Sequence, residues 1–254
     1  MKKKTIISGT DLPYFFKLER RGKNLYYFGA RHSFNPAHPQ FHILTKRWNE
    51  FMKHTKGENC LALVEGGLRP VAKSAAESIR KGGEAHFITF LASRNGVETY
   101  CPEPSLTRER DELLKKFEKK EIQYYYFARA VSQWHRSGKR IPLPSYILPF
   151  LRRDKRVSQW PDFDFSFKHM KAIHQLLFRG KFEEQNESFF AAITDPTLST
   201  TIINRVAASS SAFRDRYIVR EIKKLWRKRH LFIAYGRSHA LTHEPLLRNF
   251  ARSQ

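Results

Sequence analysis

Short apolar runs alternate along this chain with longer stretches in which apolar residues recur every three or four positions. Leu25 to Phe28, Cys60 to Val64 and Leu231 to Tyr235 are the runs. A run of this length closed by glycine or polar residues predicts a strand covered on both faces. Val97 to Cys101 predicts a further strand before Pro102-Glu103-Pro104. Between the strands, Phe41, Leu44, Trp48, Phe51 and Met52 fall on one side of a predicted amphipathic helix. The segment from Val71 predicts one helix, or two broken at Gly82-Gly83, with Asn95-Gly96 as its stop. Strand, helix, strand, helix, strand is the rhythm of crossover connections. The predicted class is therefore α/β (α+β), a central mixed, largely parallel sheet flanked by helices.

From Ser105 the pattern turns helical and highly charged, with Ser105 or Thr107 as N-cap, Gly138 as stop and Tyr124 to Phe127 facing inward. Pro142, Pro144 and Pro149 are expected to break the chain, and Pro161 to Phe167 to form a loop before a helix around His169 to Phe178. A long helical stretch from Ser199 to Arg229 carries Phe213, Tyr217, Ile218, Ile222 and Leu225 at helical spacing. The expected organisation is one domain over residues 1–254, with 105–198 a helical insertion or cap within it.

Two of the apolar runs end in the same pattern. NLYYFGARH places Gly29 and His32 after the first run, and HLFIAYGRSH places Gly236 and His239 after the last. With 12 glycines and 11 histidines in 254 residues, fewer than one such spacing is expected by chance. Glycine at a strand exit allows unusual backbone angles and close approach of a ligand, and histidine supplies a titratable, metal-competent nitrogen. Open α/β sheets keep their ligands at strand tips. Two further predicted tips carry acids, Glu65 before Gly66-Gly67 and Glu103 between two prolines. His32, Glu65, Glu103 and His239 are thus expected at one edge of the sheet. Glu84 reads as the first-turn acid of a restarted helix, and His38, His42 and His243 as surface or packing histidines.

Composition narrows the classes. The apolar fraction of 41% suffices for a core, no stretch reaches the length of a membrane span, and the N-terminal segment MKKKTIISGTDLPYFF lacks the apolar region of a secretory signal. The cytoplasm is the expected location. Cys60 and Cys101, the only cysteines, argue against a disulfide framework or a cysteine-rich zinc site, and both are expected as buried thiols. The formal charge of +23 demands that an anionic partner be considered. Basic clusters occur at Lys2 to Lys4, Arg152 to Arg156 and Lys223 to Arg229, but no nucleic-acid-binding motif accompanies them. The expectation is weak, nonspecific affinity for nucleic acid or anionic surfaces.

The order of box, Glu-tipped strand, helix, Glu-tipped strand, Arg-bearing helix and box resembles the TraB/PrgY/TIKI superfamily, whose wider relatives include erythromycin esterases and ChaN haem-binding proteins. GARH and GRSH look like its paired Gly-x-x-His motifs and LALVEGG like its strand with an essential acid. GGEAHFITFLASRNGVETYCPEP is similar to its acidic helix and following strand. AFRDRYIVREI resembles its arginine helix, which would put the functional arginine at Arg214. The likeness covers both ends of the chain and not the middle, and the second box continues ALTHEP where the TraB branch has a hydrophobic-Gly continuation.

What the resemblance implies is a hydrolase of peptide, amide or ester bonds acting on a peptide or small-molecule substrate. Its catalytic residues would be His32, Glu65, Glu103, Arg214 and His239, with Gly29, Gly236 and Glu84 on the substrate side. Two chemical routes stay open. His32, Glu65 and His239 could hold a divalent metal with an open position, or a histidine could act as general base with Glu65 orienting water and Arg214 on the oxyanion. The alternatives are a non-catalytic metal- or haem-binding protein on the same scaffold, and a basic protein associated with nucleic acid.

Overall fold

The structure is a computed structural model that describes residues 13–253. The Lys2 to Lys4 cluster and most of the N-terminal segment weighed as a secretory signal lie outside the described residues. The chain forms two compact units, one from residues 1–103 and 215–254, the other from Pro104 to Arg214.

The first unit is built on a five-stranded sheet. β1 (Tyr14–Arg20) and β2 (Lys23–Ala30) form an antiparallel hairpin. Its two-residue turn holds Arg21 at φ 48° and Gly22 at φ 73°, the left-handed pair that matches the twist of the flanking strands. α1 (Gln40–Thr55) leads to β3 (Cys60–Val64), and α2 (Ala75–Arg94) to the short β4 (Glu98–Tyr100). β5 (His230–Gly236) enters last in sequence yet lies in the middle, giving the order β1-β2-β5-β3-β4 with every pair except β1·β2 parallel. The expected mixed, largely parallel sheet is present. Gly29 is in register with Tyr235, Ala30 with Gly236 and Val64 with Ala234. The C-terminal tips of β2, β5 and β3 therefore lie side by side at one edge.

Alternation along the strands builds two cores. Tyr26, Phe28, Ala62, Val64, Phe232 and Ala234 pack with Phe41, Leu44, Trp48 and Ile88 of α1 and α2. Leu25, Tyr27, Leu61, Leu63, Ile233 and Tyr235 face the other way, onto the end of α8 (Ile202–Trp226) and onto α9 (Arg237–Arg252). β1 and α9 are elements the apolar pattern did not announce. β1 alternates as YFFKLER, the half-covered reading of an edge strand, and α9 carries Pro245 inside it.

The second unit is helical: α3 (Leu106–Leu114), α4 (Lys119–Arg136), α5 (Leu143–Ser158), α6 (Phe167–Phe178), α7 (Glu187–Ile193) and the start of α8. Ser105 is the N-cap of α3, its hydroxyl accepting from the Arg108 N–H at 3.2 Å. The charged stretch is two helices, because a capping box between Glu118 and Glu121 starts α4 afresh. The prolines, expected to break the chain, do not. Pro142 and Pro144 stand at the start of α5, where a missing N–H costs nothing, and the helix runs on through Pro149. Tyr124 to Phe127 do face inward, into a core that also takes Trp134, Ile147, Met170 and Phe190. The unit extends to Arg214 because Ile203, Val206 and Ala207 of α8 join that core.

No helix among the described residues is long and apolar enough to cross a membrane. Cys60 and Cys101 are free thiols. Cys60 is buried as expected, whereas Cys101, just beyond β4, is only partly covered.

Candidate active site

The polar groups of the sheet unit gather where β2, β5 and β3 end. After Ala30 the chain leaves the sheet through Arg31, whose backbone is clamped by the buried Gln40. The Arg31 N–H donates to Gln40 Oε1 at 3.0 Å, and Gln40 Nε2 donates back to the Arg31 carbonyl. His32 follows in the fixed segment. Its Nδ1 lies 2.5 Å from Glu84 Oε1, and the Glu84 side chain is only 5% exposed. Glu84 reaches this place because α2 is kinked at Gly82 and Gly83, the latter at φ 60° and ψ −145°. A side chain at Gly83 would also meet the Ser33 carbonyl at 3.1 Å.

The second box is built differently. Gly236 ends β5 and is the N-cap of α9, so His239 stands in the first helical turn. Its Nδ1 is 2.7 Å from Asp215 Oδ1, and its Nε2 is 3.6 Å from Glu65 Oε1. The other carboxylate oxygen of Glu65 accepts from the Gly236 N–H at 2.7 Å. One helical turn after His239, the fully buried His243 places Nε2 at 2.9 Å from the same Asp215 oxygen and Nδ1 at 2.8 Å from the Tyr27 hydroxyl. The chain Tyr27–His243–Asp215–His239 thus runs from inside the sheet to its edge.

Proton positions along this chain follow from the acceptor at its centre. Burial, the largest single influence on Asp215, raises its pKa, but the hydrogen bonds and charges of His239 and His243 together outweigh burial and hold it well below the usual carboxylate range. An ionised Asp215 only accepts, so His239 donates from Nδ1 and His243 from Nε2. His243 is held below its ordinary value of 6.5, first by burial and against the pull of Asp215, which keeps it neutral and leaves Nδ1 to accept from Tyr27. Tyr27 remains a donor. Burial, then the charges of Glu65 and Asp215, push its hydroxyl well above the ordinary tyrosine value. His239 is left with Nε2 on the side of Glu65, 3.6 Å from Oε1.

The glycines serve close approach. Gly236, at φ −57°, has backbone angles open to any residue; a side chain there would come within 3.1 Å of His32 Nε2 and 3.5 Å of Glu65 Oε2. His32, Glu65 and His239 are therefore neighbours around Gly236. Gly29, expected on the substrate side, serves the close approach of another part of the chain. A Cβ on it would meet Ala240 Cβ at 2.7 Å and Tyr14 Cβ at 3.1 Å, so its bareness lets α9 seat on β1 and β2. Glu84, expected on the substrate side, stands here as the partner of His32 Nδ1.

Glu103 joins the same edge by accepting from the Gly66 N–H at 2.9 Å, which ties the β4 tip to the turn after Glu65. Gly66 and Gly67 both lie in the left-handed region, at φ 79° and 91°. Tyr235 packs edge-on against the His239 ring, and its buried hydroxyl makes no hydrogen bond among the described residues. Burial first, then the charge of Glu103, keep it protonated. Arg214 is the last residue of the helical unit, one position before Asp215 on α8.

Among the described residues, the group of three whose potential metal-ligand atoms come within 4.8 Å of one another is Asp215, His239 and His243. This is a different trio from the expected His32, Glu65 and His239, because His32 is drawn to Glu84 and Glu65 to the Gly236 N–H. Asp215, His243 and Tyr27 were not anticipated. His239 and His243 stand four apart, the spacing that puts two side chains on one helical face, and Asp215 interrupts the apolar stripe of Ile218 and Ile222. The first signal depends on knowing that α9 is a helix; the second lies in a stretch the sequence already marks as helical. No family model, no curated protein and no solved structure matches this chain.

Proposed function

We propose that the chain is a hydrolase of amide or ester bonds, working at the C-terminal edge of the sheet with His239 as general base. One observation carries this reading. The two boxes, over 200 positions apart in sequence, each set an imidazole at this edge with Nδ1 on a carboxylate and Nε2 turned to the Gly236–Glu65 side. A carboxylate on Nδ1 fixes the tautomer and stabilises the imidazolium that forms when Nε2 takes a proton. In the proposed step His239 Nε2 removes a proton from water as its oxygen bonds to the carbonyl carbon. The bond to the leaving nitrogen or oxygen then breaks, and the imidazolium returns the proton to that atom. In this reading Glu65 orients the water, supported by the Gly236 N–H that donates to its other oxygen at 2.7 Å.

The test is a screen of the full chain against peptide, amide and ester substrates, with His239→Ala and His32→Ala beside it. Turnover that drops by about 10³-fold in His239→Ala, with an unchanged circular dichroism spectrum, is the expected result. Full activity in that variant, or none in the parent chain against any of the three classes, would overturn the proposal.

The Asp215, His239 and His243 cluster favours a second reading, a metal-assisted form of the same hydrolysis. A carboxylate and two imidazoles are a donor set that suits a divalent cation such as zinc, and the Tyr27 hydroxyl on His243 is the kind of outer partner that orients a ligand. Such a cation, when bound, supplies Lewis acidity toward a carbonyl or water. Elemental analysis of the purified chain separates the readings. Stoichiometric metal that is lost in His243→Ala supports the second, and activity indifferent to chelator supports the first.

A further inference from the structure

The helical unit has a polar cleft of its own, remote in sequence from the boxes. Tyr126, Arg129, Gln133 and Arg136 recur at three and four positions along one side of α4, and Phe150 and Arg153 of α5 stand with them around a space of about 170 Å³. That is several times the ~10–15 Å³ of such space that one water needs, enough to admit a phosphate-sized group.

Three guanidinium groups border this space, and the two carboxylates near it, Asp154 and Glu109, are both buried. Arg153 meets Asp154 at 2.9 Å, but that carboxylate is buried and shared with Arg110 at 3.2 Å and with the Gln123 amide at 3.1 Å. Arg136 donates to the neutral Ser132 hydroxyl at 2.9 Å, and Arg129 lies over the Tyr125 ring at 5.5 Å. Neither has a carboxylate within ion-pair distance among the described residues. Like charges gathered at one concave place repel unless an anion joins them, and planar guanidinium forks suit the paired oxygens of phosphate or carboxylate. Gln133 adds an uncharged amide. Tyr126 and Phe150 give the cleft an aromatic lining, and the Arg110 guanidinium lies over the Tyr126 ring at 4.6 Å.

We propose that this cleft binds a phosphate-sized oxyanion, either inorganic phosphate or the phosphate group of a small monoester, through Arg129, Arg136 and Arg153. Part of the basic excess thus has a defined address: Arg153 belongs to the Arg152 to Arg156 cluster of the sequence.

Isothermal titration of the full chain with inorganic phosphate, and separately with glycerol phosphate, at constant ionic strength tests this. Saturable binding is expected in the parent chain and in Arg152→Gln, an exposed neighbour that does not border the cleft. The Arg129→Gln/Arg136→Gln variant is expected to bind at least about tenfold more weakly. Gln133→Glu, which adds a carboxylate at an exposed position of the same wall, is an independent variant and should lose binding as well. Tighter binding of glycerol phosphate would identify a monoester site, and equal binding an inorganic phosphate site. No saturable heat with either probe, or unchanged affinity in both cleft variants, would overturn the proposal. Hydrolase activity of the sheet unit has no part in the readout.

Discussion

In the first Gly-x-x-His box the imidazole stands in a loop with its side chain 65% exposed, whereas in the second it stands on the first turn of α9 at 16%. Both end in the same arrangement, Nδ1 on a carboxylate, but the supports differ. Glu84 serves His32 alone, from a kink in α2. Asp215 serves His239 and His243 together, and Tyr27 secures the far end of that chain. The glycines differ as well: Gly29 is packed against the Cβ atoms of Ala240 and Tyr14, while Gly236 faces the ends of the His32 and Glu65 side chains. A repeated sequence motif thus conceals a division of labour. The second box is integral to the core, and the first is an exposed arm laid against it.

The comparison breaks most sharply at the two carboxylates. Asp215→Ala leaves two histidines without their acceptor, one of them fully buried, and is expected to lower turnover by about 10³- to 10⁴-fold and stability by about 3 kcal/mol. Glu84→Ala takes the carboxylate from the exposed His32 alone, so turnover should fall by about 10- to 100-fold with the larger part of stability kept. Steady-state rates and urea melts of the two variants decide it; equal losses would show that the boxes are equivalent after all.

A smaller effect separates the glycines. Gly29→Ala drives a methyl group into Ala240 and Tyr14 Cβ atoms that cannot rotate away, at a cost of about 1–3 kcal/mol. Gly236→Ala meets the far end of the His32 side chain rather than backbone or Cβ atoms and should cost stability under about 1 kcal/mol while reducing turnover. Thermal unfolding and activity measured side by side would expose an inversion of that order.

The smallest effect is in pH. Asp215 and His243 both titrate below their ordinary values in the fold, so each contributes stability that is complete above its unfolded value and is lost as pH falls through its folded one. The loss begins below about 6.5, where unfolded histidine takes up protons, and deepens below about 4 with the carboxylate. Melting temperatures of the parent chain at about pH 7.5 and about pH 5 should therefore differ more than those of His243→Gln. A variant as steep as the parent would remove His243 from the account.

Local sequence was sufficient wherever one residue's neighbours in the chain decide its conformation. The run Cys60 to Val64 can be little but a buried strand, Ser105 can cap the helix that follows it, and the Gly82-Gly83 pair interrupts α2 because glycine tolerates angles that a helix does not. The same reasoning failed at Pro142, Pro144 and Pro149. Proline at a helix start or with a tolerant neighbourhood looks like a breaker until the rest of the helix is seen. It failed again at β1 and α9, whose apolar positions are sparse because each lies at an edge or on one face of the sheet.

The sequence by itself determined the class of fold, the strands β2, β3 and β5, and the places of His32, Glu65, Glu103 and His239 just beyond strand ends. Only the tertiary structure decided which of these meet and through what. β5 pairs between β2 and β3, a long-range choice made by burial of both its faces, and that choice sets the two boxes side by side. Asp215 and His243 become functional candidates only when α8 and α9 pack on the same face of the sheet. Buried there, a carboxylate and an imidazole must find partners, and they find each other.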